Sequence, residues 1–307
     1  MKKFLISTAL ASALLPAFAL ADTVTVDFEN PPYIVGDING QDGWGKTGSY
    51  DVAVVLNPGI PGFGLQSLRL SDAVTSGSFG DQTFSKALLN EAGETDALNG
   101  GISGGIRQPH FEAQFDLAST MATEQPGMHM SVSPDRGDGS RMSYLRFEDN
   151  AGGIDVFFVD VQCPCIVGNP ANFVETQIAT VSRTTPHTIK FVMDFVEGPN
   201  NDVVKIYIDG SLVHTGTSWE NYYRFDPESN PTLVSNSRTV DSLLFREPGT
   251  AHPANAGKGF LVDNLSLLSS SGTATANDCK KGGWQSFTNP TFKNQGACVS
   301  YFEHLKH

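Results

Sequence analysis

Glu112-Ala113-Gln114-Phe115-Asp116 is the stretch of this chain that comes nearest to a constellation able to do chemistry. Two carboxylates flanking an amide could work as general acid and base on a glycosidic bond, or could simply hold sugar hydroxyls. On a regular strand, residues four apart lie about 13 Å from each other at about 3.3 Å per residue. A retaining pair of carboxyls needs about 5–5.5 Å and an inverting pair about 6.5–9.5 Å, so Glu112 and Asp116 require a bulge or a cross-strand partner such as Glu148 or Asp194. Eliminative cleavage instead asks for a Tyr or His base beside cations and amides. His129, Tyr144, Arg146 and Gln114 are of the right types but form no recognisable string.

Binding a glycan asks for less, namely aromatic faces and planar polar groups along a groove. Trp219, Tyr222 and Tyr223 cluster with Glu220, Asn221 and Arg224, and together with Arg146, Glu112 and Gln114 they are the candidate glycan-binding residues. The same aromatics, and Trp44 and Trp284 with them, read equally as the edge of a core. No catalytic residue is assigned. The chain has no Ser/His/Asp elbow, phosphate-cradling loop, dinucleotide fingerprint or HExxH, and Gly-rich Asn99–Gly105 reads as a flexible loop.

The elements that must position these residues are strands. Phe111, Ala113, Phe115 and Leu117 alternate with Glu112, Gln114 and Asp116, which buries one face and leaves the other polar. Between His187 and Tyr223 three β-branched, aromatic-rich runs are separated by Gly-Pro-Asn-Asn-Asp and by Asp209-Gly210, a pair suited to a tight hairpin turn. Further strands are predicted at Thr23–Phe28, Asp51–Val55, Ser67–Leu70, Met128–Ser133, Met142–Phe147, Ile154–Val161, Phe173–Val181, Thr239–Phe245 and Gly259–Leu268. This many strands, with 31 Gly and 17 Pro, predict an all-β chain folded as a two-sheet antiparallel jelly-roll sandwich. Lys86–Ala97 is compatible with a short helix, but Gly93 inside it makes a loop an equal reading.

Val26-Asp27-Phe28-Glu29, Gly40-Gln41-Asp42-Gly43-Trp44, Val204-Lys205-Ile206-Tyr207-Ile208-Asp209-Gly210 and Phe260-Leu261-Val262-Asp263-Asn264-Leu265 together resemble a concanavalin A-like lectin/glucanase (laminin-G-like) jelly roll over Asp22–Leu268. The resemblance implies the fold, which hosts lectins, glycosidases, lyases and adhesive modules alike. Its glucanase branch carries Glu-x-Asp-x-(x)-Glu on one strand, a string absent here. Cys279–Phe302 is similar to a short Cys-bracketed tail that ends many secreted bacterial proteins.

Residues 1–21, with Lys2, Lys3, an uncharged run and Ala19-Leu20-Ala21, read as a secretory signal, which predicts an extracellular or periplasmic protein with no transmembrane segment. The expected organisation is a sandwich over 22–268, a small-residue linker over 269–278 and the tail over 279–307. In an oxidising compartment Cys279 and Cys298 are expected to form a disulfide, whereas Cys163-Pro164-Cys165 leaves a strained bond, free thiols, and a redox or metal role all open. The chain has 33 acidic against 20 basic residues, and the tail alone is basic, so nucleic acid is a poor partner for the acidic body and an acidic polymer meets an unfavourable field there. Glu29 and Asp263, near the ends of the first and last strands, are a candidate structural calcium pair. The combined reading is a secreted non-catalytic module that binds glycan or an extracellular component. A polysaccharide-cleaving hydrolase or lyase is the first alternative, and a surface or structural protein without a small ligand the second. Oligomeric state is not legible.

Overall fold

A computed structural model describes residues 21–77, 79–94, 105–162, 166–228, 238–247, 249–271, 279–285 and 292–304. The expected leader, the Cys163–Cys165 pair and most of the expected linker lie outside the described residues. The chain divides into a large unit, Ala21–Thr273, and a second unit that contains Ala274–His307.

The large unit is a two-sheet antiparallel jelly-roll sandwich. Its nine-stranded sheet runs Ser211–Gly216, Val203–Ile208, His187–Asp194, His110–Ser119, Phe260–Ser270, Gln66–Ser71, Asp51–Leu56 and Gly36–Asp37, and Asp22–Val26 also pairs with Phe260–Ser270. The seven-stranded sheet runs Asn172–Val181, Gly153–Gln162, Leu145–Asn150, His129–Asp135, Ser242–Arg246, Gln82–Phe84 and Gly45–Thr47. First and last strands are therefore neighbours, with Thr23 opposite Leu268 and Thr25 opposite Ser266. The last strand changes partners along its length: Phe260–Val262 pairs with Leu68–Leu70, and a bulge after Asp263, with Asn264 at φ 49°, turns the remainder toward the first strand.

Period-2 alternation drives this arrangement. The inward residues Phe111, Ala113, Phe115, Ile189, Phe191, Val204 and Ile206 are all fully buried. They meet the inner face of the other sheet, where Phe115 packs edge-on against Phe147 at 6.3 Å and Phe245 at 6.0 Å between ring centroids. Removing a ring of this kind costs about 3–5 kcal/mol, because the cavity adds to the lost transfer energy. The Asp209-Gly210 pair takes φ of 51° and 77° between Ile208 and Ser211, the two positive values a tight hairpin turn needs.

Among the described residues Lys86–Ala97 contains no helix. Leu88 is buried and its N–H donates to the Asp241 carbonyl, while Ala92–Gly93 pairs with Thr239–Val240. A side chain at Gly93 would lie 2.3 Å from the Arg238 carbonyl, so the glycine allows that pairing rather than interrupting a helix. In the second unit Cys279 and Cys298 are disulfide-bonded, and Trp284, Phe292 and Val299 pack against the bridge. No helix among the described residues is long and apolar enough to cross a membrane.

Candidate functional site

The outward faces of three adjacent strands form the floor of a groove of about 550 Å³ on the nine-stranded sheet. The residues that alternate with the core positions point into it: His110, Glu112 and Gln114 from one strand, Thr188, Lys190, Val192 and Asp194 from the next, Lys205 and Tyr207 from the third. Antiparallel register sets them in rows. Lys190 stands between Gln114 and Tyr207, Val192 between Glu112 and Lys205, and Asp194 opposite His110. Beyond Gln114 the depression continues over Thr23, Thr25, Ser266 and Leu268 toward Asp27 and Asn264. Five strands at about 4.8 Å spacing give a trough roughly 20 Å across the strands.

Charge is tightly organised on this floor. His110 Nδ1 lies 2.6 Å from Asp194 and its Nε2 3.3 Å from Glu112, whose second oxygen accepts from Lys190 at 2.7 Å. Lys205 Nζ is 3.9 Å from Asp194. Burial works against a charge on His110, but its bonds to Asp194 and Glu112 overcome that cost and raise the imidazole to about 9. The same His110 bond, assisted by Lys190 against the opposing effect of burial, lowers Glu112 to about 2, and the His110 bond also lowers Asp194. At neutral pH three cations, His110, Lys190 and Lys205, share this face with three carboxylates, Glu112, Asp194 and Asp116.

One imidazole, that of His110, is bonded to both Glu112 and Asp194. Both are held ionised, however, and neither keeps the proton that a general acid donates in glycoside hydrolysis. Asp116 lies on the same outward face, accepting from Thr188 Oγ1 at 2.6 Å and Asn264 Nδ2 at 2.9 Å.

The structure brings only Glu112 and Gln114 of the sequence-derived glycan residues into the groove. Arg146 lies on the seven-stranded sheet, paired with Glu175 at 2.7 Å and stacked on Phe157 at 4.0 Å. Trp219 is only 8% exposed, and its indole N–H donates to the Val159 carbonyl at 3.0 Å. Tyr223 is buried and its hydroxyl donates to the Arg141 carbonyl at 2.9 Å. Tyr222 is half-buried, edge-on to Trp219, Phe173 and Tyr223. These aromatics join the core, as does Trp44, whose indole N–H donates to Tyr33. Of the elimination candidates, Tyr144 stacks on Trp219 and His129 Nδ1 sits 2.9 Å from the Gly127 carbonyl, both away from Gln114. His110, Lys190, Lys205 and Tyr207 were not among the sequence-derived candidates, although all four alternate outward along their strands.

Glu29 and Asp263 flank one segment: Glu29 accepts from the Gln66 N–H at 3.0 Å, and Asp263 from the Gly64 N–H at 3.0 Å. Burial raises Asp263 to about 6 in spite of the Gly64 and Asn264 N–H bonds, and the Glu29 charge adds to the rise.

No protein-family model and no curated protein sequence matches the chain. Among solved structures, an endo-β-1,4-glucuronan lyase from the fungus Trichoderma reesei is similar over 80% of this chain and 94% of its own, at 14% identity and a TM-score of 0.43. A mutant of the alginate lyase Aly36B in complex with an alginate trisaccharide is similar over 81% and 98%, at 12% identity and a TM-score of 0.43. The binding domain of Botulinum neurotoxin DC in complex with SialylT aligns over 92% of this chain and 51% of that one, at 10% identity and a TM-score of 0.39. Likenesses this distant say nothing about what this chain does.

Proposed function

We propose that the chain binds an extended acidic glycan across the polar face of the nine-stranded sheet, with a sugar carboxylate seated over Lys190 and Lys205. The carrying observation is an open groove whose polar floor presents two lysines, Lys190 and Lys205, among amide and hydroxyl groups. Gln114, Thr188 and Tyr207 supply hydroxyl and amide partners around that charge, and Thr23, Thr25 and Ser266 offer hydroxyls to the neighbouring sugars.

A second reading, eliminative cleavage, is favoured by one specific placement. Tyr207 stands in register with Lys190, so a phenol able to move a proton faces a cation able to neutralise a uronate carboxylate. A panel of uronate-containing and neutral polysaccharides, assayed for binding and for ultraviolet-absorbing unsaturated products, separates the two. Binding without product supports the module reading. Product lost in Tyr207→Phe supports cleavage, and no binding to any uronan contradicts both.

Glu29 and Asp263 offer hard oxygen ligands at the junction of the first and last strands, and calcium is the cation proposed for them. Added calcium is expected to raise the melting temperature and a chelator to lower it. An unchanged melting temperature in both would remove the site.

A further inference from the structure

Ser182 and His187, at the two ends of one connection, and Asp209, in a later turn, meet in one hydrogen-bonded line. Ser182 follows the Asn172–Val181 strand, His187 opens the His187–Asp194 strand, and Asp209 lies in the turn after Val203–Ile208. Ser182 Oγ is 2.9 Å from His187 Nε2, and His187 Nδ1 is 2.7 Å from Asp209 Oδ2. The backbone N–H of Ser182 also donates to Nε2, at 3.2 Å. Nε2 is therefore an acceptor and Nδ1 carries the proton toward Asp209, which is the tautomer a general base requires. Asp209 is held in place from its own backbone: the Thr188 N–H donates to Oδ1 at 2.9 Å, the Asp209 N–H donates to the Thr188 carbonyl at 2.9 Å, and φ is 51°. Ser182 is exposed, so a reactant can reach its hydroxyl.

We propose that Ser182, His187 and Asp209 form a serine-nucleophile site that hydrolyses small carboxylic esters, an activity independent of glycan binding in the groove. Ser182 Oγ attacks the ester carbonyl carbon as its proton passes to His187 Nε2. The carbon–alkoxy bond breaks and the alcohol leaves with the proton from Nε2. Water then attacks the acyl-serine, giving its proton to Nε2, and the carboxylic acid leaves as Ser182 is reprotonated. Asp209 is the positioning residue, fixing the tautomer and stabilising the imidazolium.

The test uses the full chain, a fluorophosphonate probe with peptide mapping, and release of p-nitrophenol from p-nitrophenyl acetate. Wild type is expected to carry the probe on Ser182 and to release p-nitrophenol faster than buffer, and Ser182→Ala to lose both. Asp209→Asn is expected to lower kcat with little change in KM and to alter the pH profile, which a purely structural turn residue would not do. Absence of probe on Ser182 in folded wild type, or equal release by Ser182→Ala, overturns the proposal.

Discussion

His110 shows how a single side chain can report on the whole groove. It is 5% exposed and wedged between Asp194 and Glu112, so its charged form is favoured in the folded chain, at about 9, over an ordinary value of 6.5. The sign follows from linkage: the stabilisation is complete below about 6.5, where the unfolded chain also holds the proton, and is lost as pH rises through about 9. A shift of this size corresponds to about 3 kcal/mol as an upper figure. Urea midpoints of the wild type between pH 6 and pH 10 should fall more steeply than those of His110→Gln. Parallel pH dependence would mean that the imidazole is not held as described. This residue was not legible in the sequence, because nothing near Pro109-His110 announces that Asp194, on another strand, will complete its bonds. Glu112 and Gln114 were legible, since their outward direction depends only on the alternation of their own strand.

At the scale of elements, the strands were legible because each carries its own period, whereas the register between them is a tertiary property. The runs His187–Asp194 and Val203–Ile208 place Lys190, Lys205 and Tyr207 on a polar face from sequence alone, yet only the pairing of Lys190 with both Gln114 and Tyr207 makes that face a site. The aromatic segment after the central hairpin misled for the complementary reason. Trp219 sits among polar neighbours and looks like a sugar platform, but the short helix Glu220–Phe225 that follows it swings its indole onto the Val159 carbonyl. Trp219→Ala is therefore expected to cost about 3–5 kcal/mol of stability, as for other large core truncations, with glycan affinity of the folded fraction unchanged. Chemical denaturation beside a binding assay would check this, and lost affinity at unchanged stability would return Trp219 to the site. Ser182, His187 and Asp209 escaped a motif search for the same reason as the groove, since hairpin geometry rather than sequence spacing brings them together.

Over the whole molecule, an acidic chain gathers Lys190 and Lys205 on the floor of one trough, and the proposed binding of a polyuronate depends on those two cations. The Cys279–Cys298 unit contains its own small apolar cluster around the disulfide, too little to fold without a covalent link. We therefore expect truncation after Ser271 to leave the melting temperature of the sandwich within a few degrees, measured by calorimetry. A large drop would mean that the tail completes the sandwich. The most direct test of the central claim is affinity electrophoresis of wild type, Lys190→Ala and Arg146→Ala through gels containing a polyuronate or a neutral glucan. Wild type and Arg146→Ala should be retarded equally by the polyuronate, and Lys190→Ala should bind about tenfold or more weakly, the loss of at least about 1.4 kcal/mol. Wild type that migrates freely through every polyuronate, or Lys190→Ala retarded as strongly as wild type, would contradict the assignment of the groove to an acidic glycan.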